Sequence, residues 1–185
     1  MLTGYDIIVF GSSAGGYSAL AEVLPQLPVD LPQAVVVAQH LHPGSGEYMV
    51  EYLSRRCRMP VREPEDKEPV LPGVIAVAAA QYHLLIERDR TFAFSVDDKV
   101  NFSRPSIDVL FESVAAVYGP RAVGVVLTGA NADGAAGLRA IKAAGGLAVV
   151  QDPASAETPF MPRSALAATA VDHVLDLAGI ARLLG

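Results

Sequence analysis

Cysteine is nearly absent. Cys57 stands alone, so no intrachain disulfide framework can form. Basic residues are outnumbered, 14 Lys and Arg against 20 Asp and Glu, giving a net charge of -6 at pH 7. That balance argues against a general nucleic-acid binder, which needs a basic surface to displace counterions. No stretch approaches the ~20 apolar residues that cross a bilayer. The start, Met1-Leu2-Thr3-Gly4-Tyr5-Asp6, lacks the basic residues of a secretion signal, and the apolar run Ile7 to Phe10 is too short for one. A soluble, cytoplasmic protein without membrane insertion is expected. No repeat, low-complexity tract or interdomain linker breaks the chain.

What is present is core material. Hydrophobic residues make up 51% of the 185 and charged residues 18%, which favours one folded domain over 1–185. Ile7-Ile8-Val9-Phe10, Ala34 to Ala38 and Ala122 to Leu127 are apolar, β-branched and without alternation. Strands buried on both faces of a parallel sheet read this way. Leu147 to Val150 is expected to be another. Helical patterns fall between them, at about Tyr17 to Leu24, Gly46 to Arg58, Ser106 to Tyr118 and Asp133 to Ala144. Pro25 stops the first, Pro105 suits a first helical turn, and Gly119 and Gly145 suit helix ends. Pro60 to Gly73 reads as a loop. Val74 to Val77 reads as strand, and His83 to Glu87 with Thr91 to Val96 as a hairpin. The expected fold is α/β: a doubly wound, mainly parallel sheet flanked by helices, with an antiparallel hairpin at one edge.

The first strand runs into Gly11-Ser12-Ser13-Ala14-Gly15-Gly16. Read as G-x-S-x-G, the segment centres on Ser13. Small residues on either side permit a tight strand-to-helix turn that pushes the hydroxyl into a cleft. The following helix start leaves backbone N–H groups for an oxyanion, with Ala14 the natural first donor. Two other readings stay open. One is a phosphate-binding turn, although the spacing is not G-x-G-x-x-G and the P-loop lysine is missing. The other is a plain turn in which a serine caps the helix.

A serine nucleophile needs a base, and the base needs a group to hold it. Of the four histidines, His40 directly follows the second buried strand, so Ser13 and His40 fall on the carboxyl edge of the sheet, where ligand sites gather. His42 reads as a loop residue. His173 would need the serine-acid-histidine order of α/β-hydrolases without their preceding strands. Asp133 stands at the same edge, after Leu127. Capping the helix that follows is its bland role, and orienting His40 is the sharper one.

These segments resemble the chemotaxis protein-glutamate methylesterases (CheB). Val9 to Gly16 is similar to that family's I-G-x-S-x-G-G segment and Val37 to Gly44 to its Q-H segment. Arg104-Pro105-Ser106-Ile107-Asp108-Val109-Leu110-Phe111 resembles R-P-S-x-D-x-L-F, and Leu127-Thr128-Gly129 through Asp133-Gly134 resembles L-T-G-x-x-x-D-G. Tyr82 to Leu85 and Phe160 to Arg163 add weaker matches, all in family order.

The resemblance implies Ser13 as nucleophile, His40 as general base and acid, and Asp133 as the residue orienting His40. It implies oxyanion donation by the backbone N–H groups of Ala14 and Ala130. The implied reaction is hydrolysis of glutamate γ-methyl esters, with glutamine deamidation, on the signalling helices of methyl-accepting chemoreceptors. Neither metal nor cofactor is implied. Ser12, Gln39, His83, Arg104 and Asn131 fall at family positions near the cleft and are expected to touch substrate. Ala130-Asn131-Ala132 departs from the Met-Gly-Asn of familiar members, and Ala79 from their proline. The family's phosphoryl-receiver domain has no counterpart ahead of Ser13, so gating by a separate receiver protein is expected. A relative acting on a different ester or amide, an inactive scaffold and a nucleotide-binding module are the rival readings.

Overall fold

The buried runs become strands because successive side chains point to opposite faces, and both faces are covered. In the computed structural model, which describes residues 2–41 and 46–185, the elements run β1 (Ile7–Ser12), α1 (Gly16–Val23), β2 (Ala34–Gln39), α2 (Gly46–Ser54), β3 (Val61–Arg62), β4 (Ile75–Val77), β5 (His83–Ile86), β6 (Phe92–Ser95), α3 (Ile107–Tyr118), β7 (Ala122–Val126), α4 (Ala135–Ala143), β8 (Leu147–Gln151), α5 (Phe160–Ala168), β9 (His173–Leu175) and α6 (Leu177–Leu184). Ile7, Val9, Ala34 and Val36 face one core, with Phe111 of α3, Leu138 of α4 and Met161 of α5. Ile8, Phe10, Val35 and Val37 face the other, with Leu20 of α1, Met49 of α2 and Ile180 of α6. The period of two along each strand thus feeds two helical layers.

The parallel sheet has the order β3-β4-β2-β1-β7-β8-β9. From the central β1 the chain first builds outward through β2 and β4. It then returns to pair β7 on the other side of β1, with Gly11 opposite Val126. The order therefore reverses around β1, and the carboxyl ends of β1, β2 and β7 border one crevice.

Several details differ from expectation. The hairpin β5–β6 forms with His83 opposite Ser95, but as a separate two-stranded sheet rather than an extension of the large one. It is tied to α3, where the Ile86 N–H donates to Ser113 Oγ at 3.0 Å. Helix α3 starts at Ile107 because Ser106 is its N-cap, accepting from the Val109 N–H, so Pro105 lies just outside the first turn. Helix α2 stops at Ser54, short of Arg58, where the Arg56 and Cys57 N–H groups both turn back to the Leu53 carbonyl. Strands β3 and β9 have two and three residues, too few for any periodicity, and α5 and α6 lay beyond the patterns read from sequence.

Phe111 is fully buried at the α3–sheet contact. Phe111→Ala is expected to lower stability by about 3–5 kcal/mol. Val174→Ala, at a side chain 44% exposed, is expected to stay within about 0.5 kcal/mol. Denaturant unfolding of the two variants checks both.

Candidate active site

The carboxyl ends of three strands deliver the three residues that sequence singled out. Parallel pairing sets Ser12 of β1 opposite Gln39 of β2, so Ser13 and His40 follow side by side. The ladder continues past the strands themselves. The His40 N–H donates to the Ser12 carbonyl at 3.1 Å, and the Ser13 N–H to the Thr128 carbonyl at 2.9 Å. Gln39 braces the joint. Its Nε2 donates to the carbonyls of Ser13 (2.9 Å) and His40 (3.0 Å), while its Oε1 accepts the Ser12 hydroxyl at 2.6 Å. The turn into α1 needs its glycines: Gly15 has φ +79°, and a Cβ on Gly16 would stand 2.0 Å from Gln39 Oε1.

Ser13 and His40 line one cleft of about 770 Å³. Ala14, Lys99, Asn101, Phe102, Ser103, Arg104 and Asn131 share its wall. Among the described residues, the Ser13 hydroxyl makes no hydrogen bond, and the Ala14 and Ala130 N–H groups donate to no backbone carbonyl. Such unengaged groups suit a site that tightens only around substrate. Ala130 is exposed beside the cleft.

His40 is held by its ring edge. Its Nε2 lies 2.7 Å from Asp133 Oδ2, and its side chain is 13% exposed against 0% for the aspartate. A carboxylate accepts, so Nε2 carries a hydrogen and donates it to Asp133. Ser103 Oγ is 3.4 Å from the ring's Nδ1.

Asp133 does not cap the helix that follows it, since Gly134 is the N-cap of α4 and supplies no side chain. It caps a different helix. Its Oδ2 accepts the Ile107 N–H at 2.7 Å, and its Oδ1 accepts the Asp108 N–H at 3.1 Å and the Ser106 hydroxyl at 2.8 Å. Asp108 returns the favour across the gap. Its Oδ1 accepts the Gly134 N–H at 2.9 Å and the Gly137 N–H at 2.7 Å, at the start of α4. Asn101 Nδ2 donates to both carboxylates, at 2.9 Å to Asp108 and 3.2 Å to Asp133. Burial works against the charge on Asp133, but donors from His40, Ile107, Asp108 and Ser106 outweigh it and hold the carboxyl below its ordinary range. Asp108 goes the other way. Burial, with Asp133 as a like charge nearby, pushes it up to about 6.

Two expected substrate contacts, His83 and Ser12, are buried and do not line the cleft, whereas Gln39 does line it. His83 is buried, with Nε2 3.1 Å from the Asp98 carbonyl and Nδ1 accepting the Ser106 N–H at 3.2 Å, so it braces the hairpin against α3 and does not reach the cleft. Ser12 is fully buried beneath Gln39, and Gln39 itself is a brace with its amide groups engaged. Arg104 and Asn131 do line the cleft. Arg104 Nη1 donates to the carbonyls of Val96 and Asp97, and Asn131 links Ser103 to the Asp133 N–H. His42 lies outside the described residues. Cys57 has its thiol pushed up to about 11 by burial, which leaves it protonated and poorly nucleophilic. Among the described residues no cluster of His, Cys, Asp and Glu could hold a metal ion.

Residues 101, 103, 106, 108 and 128 were missed. Ser106 and Asp108 carried a signal, since a serine and an aspartate two residues apart at a helix start is a capping pattern. Thr128 pins the nucleophile turn, donating from its hydroxyl to the Ala14 carbonyl at 2.9 Å. Asp108 keeps its proton to higher pH when folded than the ~3.9 of an unfolded aspartate, so it favours the folded state least above pH 6. The stability lead of wild type over Asp108→Asn should therefore shrink as pH rises from about 4 to about 7, as urea unfolding across that range would read.

A family model described as CheB methylesterase matches residues 8–184. A relative from Leptospira interrogans is 51% identical over 179 residues, covering 97% of this chain and 93% of the relative. The protein-glutamate methylesterase/protein-glutamine glutaminase of Paraburkholderia xenovorans is 43% identical over 185 residues, covering 98% of this chain but 51% of that protein. In three dimensions the chain is similar to the crystal structure of the Thermotoga maritima CheB methylesterase catalytic domain, with TM-score 0.94, 32% identity and 97% coverage of both chains. With the match running almost end to end, and the serine, histidine and aspartate of its motifs gathered at one sheet edge, the chain belongs to the CheB methylesterase family.

Proposed function

We propose that this chain hydrolyses glutamate γ-methyl esters, and deamidates glutamine, on the signalling helices of chemoreceptors in the cytoplasm. Ser13 is the nucleophile, His40 the base and Asp133 its orienter. The observation that carries this reading is the 2.7 Å contact from His40 Nε2 to the buried Asp133, made where His40 and Ser13 open into one cleft.

The chemistry is acyl transfer. His40 Nδ1 takes the Ser13 proton as Oγ attacks the ester carbonyl. Asp133 stabilises the imidazolium that results. The oxyanion rests on the N–H groups of Ala14 and Ala130, each such donor being worth about 3–4 kcal/mol in the transition state. Methanol, or ammonia from a glutamine, leaves with the proton from His40. Water then attacks the acyl-enzyme with the same groups in reverse order. Arg104 and Asn131 contact the substrate segment, and Lys99 adds positive charge to the cleft wall that suits an acidic helix.

Ser13→Ala should cut methanol release from methylated receptor fragments by about 10³-fold or more while the far-ultraviolet spectrum stays unchanged. A fluorophosphonate probe should label Ser13, and labelling at another residue in active protein overturns the assignment. Lys99→Ala should raise KM a few-fold at low salt with kcat nearly unchanged, an effect that fades above the physiological ionic range. Initial-rate kinetics at two salt concentrations reads it.

A further inference from the structure

The mechanism above uses one buried carboxylate, yet the site holds two. Asp108 is 6% exposed and stands in the first turn of α3, beside Asp133. Two like charges in a buried place repel, and folds avoid this unless each is separately held. Here each is held by the other's helix. Asp108 Oδ1 receives two N–H groups at the start of α4, next to Asp133 in sequence, and Asp133 receives two at the start of α3. The remaining oxygen of Asp108 receives Asn101 Nδ2, the same group that reaches Asp133 Oδ1.

We infer that Asp108 is a positioning residue for the His40–Asp133 pair: it anchors the start of α4, shares the Asn101 donor with Asp133, and places a second negative charge behind the imidazole. This rests on the function proposed above. Its first effect is geometric, because Asp133 is fixed from both neighbours in sequence and in space. Its second is electrostatic. Its carboxyl, ionised above about pH 6, adds negative potential behind Asp133 on the side away from the cleft. Among the described residues, the other charged or titratable groups near this pair are the buried His83, which accepts the Ser106 N–H, and Lys99 and Arg104 on the cleft wall. On the packed helices, Glu112 of α3 and Arg139 of α4 are exposed, and Lys142 is paired with Asp172.

The test uses the labelling rate of Ser13 by a fluorophosphonate between about pH 5 and pH 8, which reports the free base without needing the natural substrate. Asp108→Asn keeps an oxygen to accept from Gly134 and Gly137 but removes the charge and the acceptor for Asn101 Nδ2. The midpoint of the acid limb should move down by about half a pH unit or more, as expected for a charge lost within several ångströms at the edge of a buried site. Asn101→Ala leaves both helix caps intact and removes only the shared donor. It should slow labelling at the plateau by about tenfold, on the scale of lost supporting hydrogen bonds. A midpoint unmoved in Asp108→Asn, or a plateau unmoved in Asn101→Ala if the first variant fails to fold, reduces Asp108 to a helix cap and overturns the inference. Ser13→Ala separates the two levels. Labelling that survives in it overturns the proposed function, whereas labelling that vanishes there while both other variants match wild type overturns the role of Asp108 alone.

Discussion

A buried carboxylate with no exposed surface is the constraint on which the rest of the site depends. Asp133 could not remain ionised at that depth in an apolar core, because an isolated charge there costs far more than a fold can supply. It remains so because five donors converge on it, two of them backbone N–H groups at the start of α3. The first turn of a helix offers such groups in a fixed array, with a partial positive charge behind them. One of those donors, Asp108, makes the arrangement reciprocal through its own carboxylate. Helices α3 and α4 are thus joined less by their apolar faces at this end than by an exchange of carboxylates, and the imidazole of His40 is attached to the joint.

The sheet supplies the complementary half. Ser13 and His40 are adjacent because β1 and β2 are adjacent, and Gln39 holds their carbonyls in register from below. At the base, the helical side and the strand side meet in the hydrogen bond between His40 and Asp133. Forming it requires the whole sandwich to be assembled, since no local segment contains both partners. The site is therefore a product of the tertiary fold rather than of any one motif.

Much of this was legible in the chain. The unbroken apolar runs at Ile7, Ala34 and Ala122 announced buried parallel strands, and strand ends in such a sheet announce where chemistry gathers. The roles expected of Ser13, His40 and Asp133 came from the family resemblance, while their placing at one sheet edge followed from that rule. The supporting residues did not, for a physical reason. Ser12 and His83 looked like contacts for a ligand because they are polar and stand near the motif residues, yet both are buried away from the cleft. Whether a polar side chain faces the cleft or the core depends on rotamer and packing, which spacing along the chain does not encode. Asp133 posed the same difficulty. A carboxylate before a glycine-started helix suggests a local cap, and only coordinates show that its donors come from a helix 26 residues earlier. The short strands β3 and β9 owe their form to neighbours, not to their own composition.

The orientation of the His40 ring has a consequence for the way this pocket can evolve. Since Nε2 is committed to Asp133, the working nitrogen in the proposed chemistry is Nδ1, the one nearer to the main chain. Its location is governed by only two side-chain torsions and hence closely by the path of β2. The radius within which a hydroxyl can be served is correspondingly small. A nucleophile migrating to a more distant loop would fall outside it, whereas the neighbouring strand end never leaves it. This geometry ties the identity of the reacting side chain to the pairing of two particular strands, and lets the outer wall of the cleft vary freely around them.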